Sequence, residues 1–483
     1  MHKILHLFLL AASAHAYIPP AHRGVPGRAS VSAANATTDT RTIADTARVV
    51  DQKSGADAAA RPDLPVANTS VTAVDGQVVN ATNAGAAAHR AGAAKRGARA
   101  YAEVFAGNGT RAAGFDAAVE GTAYLTYTLV NNATYDVDAC TAFCDRVPGC
   151  VFVNLYYEFN NPLLDFVFSE RSNLKCAAYG DVHRAAEKTN FGGQQLEAPP
   201  AEASYIRESS GWAVDALADA PVPDGYELVF GPTDGANIAP GYMGFAFIDK
   251  YDTHACAALC NARDADAAGG ACQYFNIWRA LVDGVPTTYT CAFYYLATNA
   301  STAVNYGQGS LKVTYSRGYR RVSFAIDGGF ESFGCGTSDE FCYSGSSTTW
   351  NGTSDAGGSL DASIFHYSAY SRTGTSVGLL GSASGVDTLS GTLSPSAALQ
   401  TVAGRKYVVG FFVNTLYAGV EAEKSAWVDV VWNGAVAQSI RVGYRDWTYY
   451  ETTVVARGGD RLGLHGGGAP AWVFIDDVCV YVL

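Results

Sequence analysis

At 483 residues, with a formal net charge of −12 and 16% charged residues, the chain has room for about three domains of ordinary size. The acidic balance argues against nucleic acid and anionic membrane as partners, since both select a basic face. Abundant Gly, Ser, Thr, Ala and Tyr give the composition of an extracellular β-rich protein.

The N-terminal MHKILHLFLLAASAHA has a basic start, an apolar run from Ile4 to Ala12 and a small-x-small site at Ala14 and Ala16. It reads as a signal peptide over 1–16, too short to span a bilayer. No later stretch stays apolar for about 18 residues. The C-terminal VFIDDVCVYVL lacks the spacer and tail of a lipid-anchor signal. The expectation is a soluble protein secreted to the extracellular space or cell wall. Sequons at Asn35, Asn68, Asn80, Asn108, Asn132, Asn299 and Asn351 agree with a glycoprotein on that route.

Residues 17–96 contain no cysteine and no aromatic beyond Tyr17. Their apolar periodicity is too weak to offset the cost of ordering the chain, so they read as a disordered pro-segment or spacer. The segment ends at the dibasic Lys95-Arg96, a site for kexin-type processing. A glycosylated tail that stays attached is the alternative.

Two copies of one cysteine pattern follow, over 97–219 and 220–321. The first holds Cys140, Cys144, Cys150 and Cys176; the second holds Cys256, Cys260, Cys272 and Cys291. YAEVFAG (101–107) aligns with YELVFGP (226–232), and YLTYTLVNNATYDVDAC (124–140) with GFAFIDKYDTHAC (244–256). Each copy reads as strand, strand, helix, strand, long loop, strand. The C-x-x-x-C pair falls on one helix face, because residues four apart share a face. Four cysteines allow three disulfide connectivities, and spacing does not choose among them. A four-thiolate zinc site suits a reducing compartment, and the leader argues against it.

Over 322–483 the pattern becomes alternating strands: VSFAI (322–326), YVVGFFV (407–413), AWVDVVW (426–432), VAQSIRV (436–442), YYETTVVA (449–456) and WVFIDDVCVYV (472–482). That spacing suggests a two-sheet β-sandwich. Cys335 and Cys342 bracket a short loop and can bridge each other. Cys479 is then the odd cysteine, read as a buried, unreactive thiol, or as a dimerisation site if exposed.

The doubled pattern resembles the apple/PAN module, in which a helix bearing C-x-x-x-C is bridged to central strands. That resemblance implies the pairs Cys140–Cys176, Cys144–Cys150, Cys256–Cys291 and Cys260–Cys272. VFVNLYYEFNN (151–161), QYFNIWRALVDG (273–284), TNFGGQQ (189–195) and LVFGPTDGAN (228–237) look like secreted fruit-body proteins of mushroom-forming fungi. IDGGFESFG (326–334) and PAWVFIDDVCV (470–480) are similar to carbohydrate-binding jelly rolls of the xylan- and β-glucan-binding type. The implied fold is mainly β with α+β modules: two disulfide-stapled apple/PAN-like domains and a C-terminal jelly-roll sandwich.

The jelly-roll resemblance implies a structural calcium held by the Gly329 carbonyl, Glu331 and one of Asp476 and Asp477. Clustered carboxylates suit such a hard cation; solvated strand-end carboxylates are the alternative. Sugar binding needs flat aromatic faces flanked by polar groups. Trp350, Tyr367, Tyr370, Tyr417, Tyr444, Trp447 and Tyr449 are candidates, and Tyr367, Tyr370 and Trp447 lead because polar residues surround them.

Signs of catalysis are few. Gly374-Thr375-Ser376-Val377-Gly378 matches G-x-S-x-G, yet a turn-rich LLGSASGVDTLSG follows where a nucleophile elbow requires a helix. His366 and His465 stand alone in sequence and read as structural. Glu158 and Asp165 are the one carboxylate pair to consider for glycoside hydrolysis. The reading is a secreted, non-enzymatic binding protein. Its sandwich would hold polysaccharide of the β-glucan, chitin or xylan kind, and its repeats extracellular protein or glycan, with multivalency adding weak sites together. The alternatives are a structural or adhesive matrix protein, or a glycan-active enzyme.

Overall fold

The computed structural model describes residues 71–74, 77–80 and 99–483, apart from positions 108, 110–113, 122, 131–133, 148, 165, 167, 249, 337–340 and 468–469. The leader 1–16, Lys95-Arg96, Asp165 and the sequons at Asn35, Asn68, Asn108 and Asn132 lie outside the described residues. The fold is mainly β, built from antiparallel sheets.

One expectation is corrected at the start. Within 17–96, read as disordered, β1 (Val71–Val74) and β2 (Gln77–Asn80) form a hairpin, and Val74 pairs with Ala246 of the second repeat. Asp75-Gly76 between two valine-bearing runs is a hairpin motif, and the low overall hydrophobicity of the segment hid it. The sequon at Asn80 stands on β2.

The first repeat runs β3 (Tyr101–Phe105), β4 (Ala118–Val119), β5 (Tyr124–Leu129), α1 (Val137–Cys144), β6 (Phe152–Phe159), β7 (Ser172–Tyr179), β8 (Lys188–Asn190), β9 (Tyr205–Val214) and α2 (Asp215–Ala218). The second runs β10 (Tyr226–Thr233), β11 (Tyr242–Ile248), α3 (Thr253–Asn261), β12 (Tyr274–Val282), β13 (Val285–Tyr294), β14 (Gly307–Gln308) and β15 (Leu311–Arg321). Their sheets have orders β3-β9-β6-β7-β5 and β10-β15-β12-β13-β11, the latter extended by β1 and β2. The expected pattern missed the last long strand of each copy, β9 and β15, which lies between the first strand and the central one. The long loop expected in both copies is present only in the first. In the second, Asp283 and Gly284 (φ 52° and 81°) join β12 to β13 in a tight turn of the kind that favours Asp-Gly.

The two copies match atom for atom at key points. Asp136 accepts the Ala139 amide at 2.8 Å to start α1, and Asp252 accepts the Ala255 amide at 3.0 Å to start α3, caps of about 1 kcal/mol each. On the central strands, buried Asn154 accepts from Val119 N and donates to Ser209 Oγ and Ser210 O. Asn276 likewise accepts from Asn237 N and donates to Ser316 Oγ and Arg317 O. Disulfides join Cys140 to Cys176, Cys144 to Cys150, Cys256 to Cys291 and Cys260 to Cys272. Each helix is thereby pinned to its sheet.

The repeats are not beads on a string. One apolar core runs through both, from Phe152, Tyr156 and Tyr179 to Phe275, Tyr289 and Tyr319. Across it, fully buried Arg279 pairs with Asp181, and Arg317 donates to Leu217 O at 2.8 Å and to Tyr251 Oη at 2.9 Å.

The sandwich comprises β16 (Cys342–Ser344), β17 (Trp350–Ser354), β18 (Ala362–His366), β19 (Ser376–Leu380), β20 (Gly391–Pro395), β21 (Lys406–Asn414), α4 (Val420–Glu423), β22 (Trp427–Trp432), β23 (Ala435–Arg441), β24 (Thr448–Val455), β25 (Leu462–Gly467) and β26 (Val473–Val482). A sheet ordered β16-β18-β19-β26-β21-β24 faces one ordered β17-β20-β25-β22-β23. Between them lie Phe330, Trp350, Ile364, Phe411, Val428, Leu464 and Ile475. The expected strand VSFAI (322–326) is absent: its Phe324 N–H reaches Val480 O at 2.8 Å, but the segment leaves the sheet at once for the turn 326–329.

The second repeat is joined closely to the sandwich. Arg321 donates to Val482 O at 3.0 Å while stacking over Tyr481, Asp224 pairs with Arg405 at 3.0 Å, and Val322 N–H reaches Gly225 O at 2.8 Å.

Candidate functional site

On the outer face of the β16-to-β24 sheet, period-two alternation sends Ile364 and Ile475 inward, so their neighbours Phe365 and Phe474 face out. Tyr343 on β16 pairs directly with Phe365, and their rings stack at 4.9 Å. The loop 367–375, between β18 and β19, lays Tyr367 and Tyr370 over this face. Tyr370 is the hub: its ring lies 5.0 Å from Tyr367, 4.8 Å from Tyr417 and 4.9 Å from Phe474. Tyr417 Oη donates to Ala369 O at 2.9 Å and ties the loop to the end of β21. Phe341 closes one side, 5.6 Å from Tyr367, on a loop clasped by the Cys335–Cys342 disulfide. Trp447 and Trp472 pack on the same Phe365, Val377, Leu379 and Phe474 cluster.

The patch remains open to solvent, with Phe341 47%, Tyr343 38% and Tyr417 38% exposed. Phe365 and Phe474, beneath them, are buried. The surface offers solvent-facing aromatic rings, the chemistry that stacks on pyranose C–H faces.

The structure brings together Tyr367, Tyr370, Tyr417 and Trp447 from the sequence-derived set. It removes two others. Trp350 is fully buried against Phe330, with Nε1 donating to Asp327 O at 2.8 Å. Tyr449 packs on Phe412 and against Gly270 of the second repeat. Tyr444 is 42% exposed. Phe341, Tyr343, Phe365, Trp472 and Phe474 were missed, although the outward positions beside core residues Ile364 and Ile475 were available as a pattern.

The carboxylates Glu331, Asp476 and Asp477 meet beside Gly329. A Cβ on Gly329 would lie 3.7 Å from Asp476 Oδ1 and from Asp477 Oδ1, and 3.8 Å from Glu331 Cγ. Glu331 accepts from Thr375 N and Ser376 N, both at 2.8 Å. Asp476 Oδ2 accepts from Arg372 N at 2.7 Å, and Asp477 Oδ2 pairs with the Arg372 guanidinium at 2.5 Å. Burial, with the charge of Asp477 beside it, pushes the Asp476 carboxyl up to about 8. The donors are all oxygens, the kind a hard cation takes. Protein N–H groups already engage them, and among the described residues no three His, Cys, Asp or Glu side chains form a group that could hold a metal.

The catalytic candidates have structural partners. Ser376 Oγ lies 3.0 Å from His366 Nδ1, but it donates to Phe333 O at 2.9 Å, is fully buried and sits on a strand instead of an elbow. His465 bonds to Thr392 Oγ1 at 2.9 Å beside Trp427. Glu158 pairs with Lys175 across strands at 3.3 Å. Cys479 is buried and free, and burial pushes its thiol up to about 11, so little thiolate is present at neutral pH. Asn299 and Asn351 are exposed. No helix among the described residues is long and apolar enough to cross a membrane.

No family model and no curated protein matches the chain. Among solved structures it is similar to TmCBM61 in complex with β-1,4-galactotriose, at 18% identity over 33% of this chain and 99% of that one, with a TM-score of 0.23. It is also similar to the CBM22-1 xylan-binding domain of Paenibacillus barcinonensis Xyn10C, at 13% identity over 29% and 88% of the two chains, with a TM-score of 0.21. A third is the K1 cleaved adhesin domain of Lys-gingipain from Porphyromonas gingivalis W83, at 11% identity over 30% and 98%, with a TM-score of 0.22.

Proposed function

We propose that this chain is a secreted, non-enzymatic polysaccharide-binding protein whose sandwich holds glycan on the Tyr343–Tyr367–Tyr370–Tyr417–Trp447 surface. The aromatic patch carries the reading: exposed Phe341, Tyr343 and Tyr417 adjoin half-buried Tyr367, Tyr370 and Trp447, which cover the buried Phe365 and Phe474 and still meet solvent. The net charge of −12 favours a neutral polymer, and β-glucan, chitin and xylan are the classes to test. The fused repeats, of apple/PAN-like plan, supply a second surface for extracellular protein or glycan. The fruit-body resemblance favours a place in fungal extracellular matrix.

The test is a polysaccharide array with the full chain, because the sandwich shares a tight joint with the second repeat. Retention on at least one neutral polysaccharide is expected, and loss of it in Tyr367→Ala. Retention on none overturns the reading in favour of an adhesive matrix role.

The carboxylate corner supports a second, narrower proposal, that Gly329, Glu331, Asp476 and Asp477 take a structural calcium ion. What favours it is the crowding of carboxylates: Glu331, Asp476 and Asp477 meet beside Gly329 with one guanidinium, that of Arg372, paired to Asp477. Calcium should raise the melting temperature over that in chelator, and an unchanged melting temperature would remove calcium from the account.

A further inference from the structure

The loop that carries Tyr367 and Tyr370 is anchored from two domains. Within the sandwich, Arg372 N and Thr373 N donate to Asp476 Oδ2 at 2.7 and 3.2 Å, and Thr373 Oγ1 donates to Asp477 Oδ1 at 2.7 Å. The Arg372 guanidinium continues the chain of contacts outward. Its Nη1 meets Asp477 Oδ2 at 2.5 Å, its face lies 3.5 Å from the Phe412 ring centre, and its Nη2 donates to Ala268 O of the second repeat. The side chain is only 17% exposed.

The Ala268 carbonyl is presented by a built turn. Asp266 Oδ1 accepts from Ala268 N and Gly269 N, both at 2.8 Å, and Asp266 and Gly270 exchange backbone bonds at 2.9 and 2.8 Å. Gly270 has φ +79°, and a Cβ there would come within 2.9 Å of Tyr449 and 3.2 Å of Phe412. The turn 266–270 therefore seats flush on the sandwich beside Arg372. A guanidinium suits this place because its planar fork serves two acceptors in different directions while stacking on a ring; an ammonium is a point donor.

We propose that Arg372 is a positioning residue through which the second repeat holds the aromatic loop 367–375 in its binding conformation. Glycan affinity then belongs to the joined pair of domains and not to the sandwich alone. The inference rests on the glycan-binding reading for its ligand, but its structural half stands apart from it.

The experiment uses the full chain, titrated with β-glucan, xylan and chitin hexasaccharides, together with amide hydrogen exchange over 367–376. The variants are Arg372→Ala, Arg372→Lys, Asp266→Ala and Tyr367→Ala. Arg372→Ala and Asp266→Ala should each weaken binding about tenfold, equivalent to about 1.4 kcal/mol, and speed exchange over 367–376. Asp266 lies in the other domain, so its effect on this loop is one that a purely local role would not produce. Arg372→Lys should recover only part of both effects. Tyr367→Ala should abolish binding without speeding exchange in 266–270. Unchanged exchange over 367–376 in both Arg372→Ala and Asp266→Ala overturns the proposal. If no hexasaccharide binds the wild type, the glycan reading fails, and the exchange result still decides whether the second repeat positions the loop.

Discussion

The repeats and the sandwich solve the same stability problem differently. The repeats set polar groups into their apolar core: in each a buried asparagine with every bond made, a capped helix and two disulfides, and between the copies the Arg279–Asp181 pair. The sandwich has an apolar centre of Phe330, Trp350, Phe411 and Ile475, and its one disulfide, Cys335–Cys342, sits at the rim under the aromatic patch. The repeats therefore add a few specific polar contacts and four disulfides to their apolar packing, while the sandwich relies on apolar packing and leaves an aromatic face open.

The contrast breaks most readily at the seam between the repeats. Arg279→Ala leaves Asp181 buried without its partner, and about 3–5 kcal/mol should be lost in urea unfolding. A loss no larger than an exposed pair gives, about 1 kcal/mol or less, would show that this pair does not hold the copies together. Next, Cys256→Ser opens a bridge spanning 35 residues, worth roughly 4 kcal/mol by loop entropy, whereas Cys335→Ser opens one spanning 7, worth roughly 2 kcal/mol. The first should unfold the repeats; the second should chiefly free Phe341 and weaken glycan binding. Asn276→Ala strands the Asn237 amide, and about 1–3 kcal/mol should be lost.

A gentler test is pH, run in chelator so that no calcium holds Asp476 ionised. Burial pushes Asp476 up to about 8 and Glu423 up to about 7, from ordinary values of 3.8 and 4.5. Below about pH 4 folded and unfolded chains both hold these protons. As pH rises toward 8, the unfolded chain releases them first, so stability falls, by about 1.4 kcal/mol per pH unit at most for each group. Above that range both states are ionised and the slope ends. Asp476→Asn should flatten the upper part of the decline in melting temperature between pH 5 and 8. A wild-type protein equally stable at both would contradict this.

Much of the architecture is legible in the chain because it is written locally. Cysteine spacing and the alternating runs from Tyr407 to Val482 are local patterns. What stays hidden is non-local. VSFAI alternates like a strand, but Phe324 finds only Val480 before the chain turns away. The single core shared by Phe152 and Phe275 cannot be read from either repeat alone. Tyr367 and Tyr370 stand out by their polar neighbours, whereas Phe365 and Phe474 look like core until the sheet shows which way they face. Trp350 misleads in the opposite sense: polar on both sides in sequence, it lies at the centre of the sandwich.

The central claim is that the aromatic face holds neutral glycan. Calorimetric titration of the full chain with soluble β-glucan, xylan and chitin oligosaccharides tests it most directly, beside a Tyr367→Ala/Tyr370→Ala double variant. The account predicts saturable binding to at least one class, abolished in the double variant while its disulfide-stapled repeats stay folded. Binding to none of the three, or binding that survives the double substitution, would contradict it.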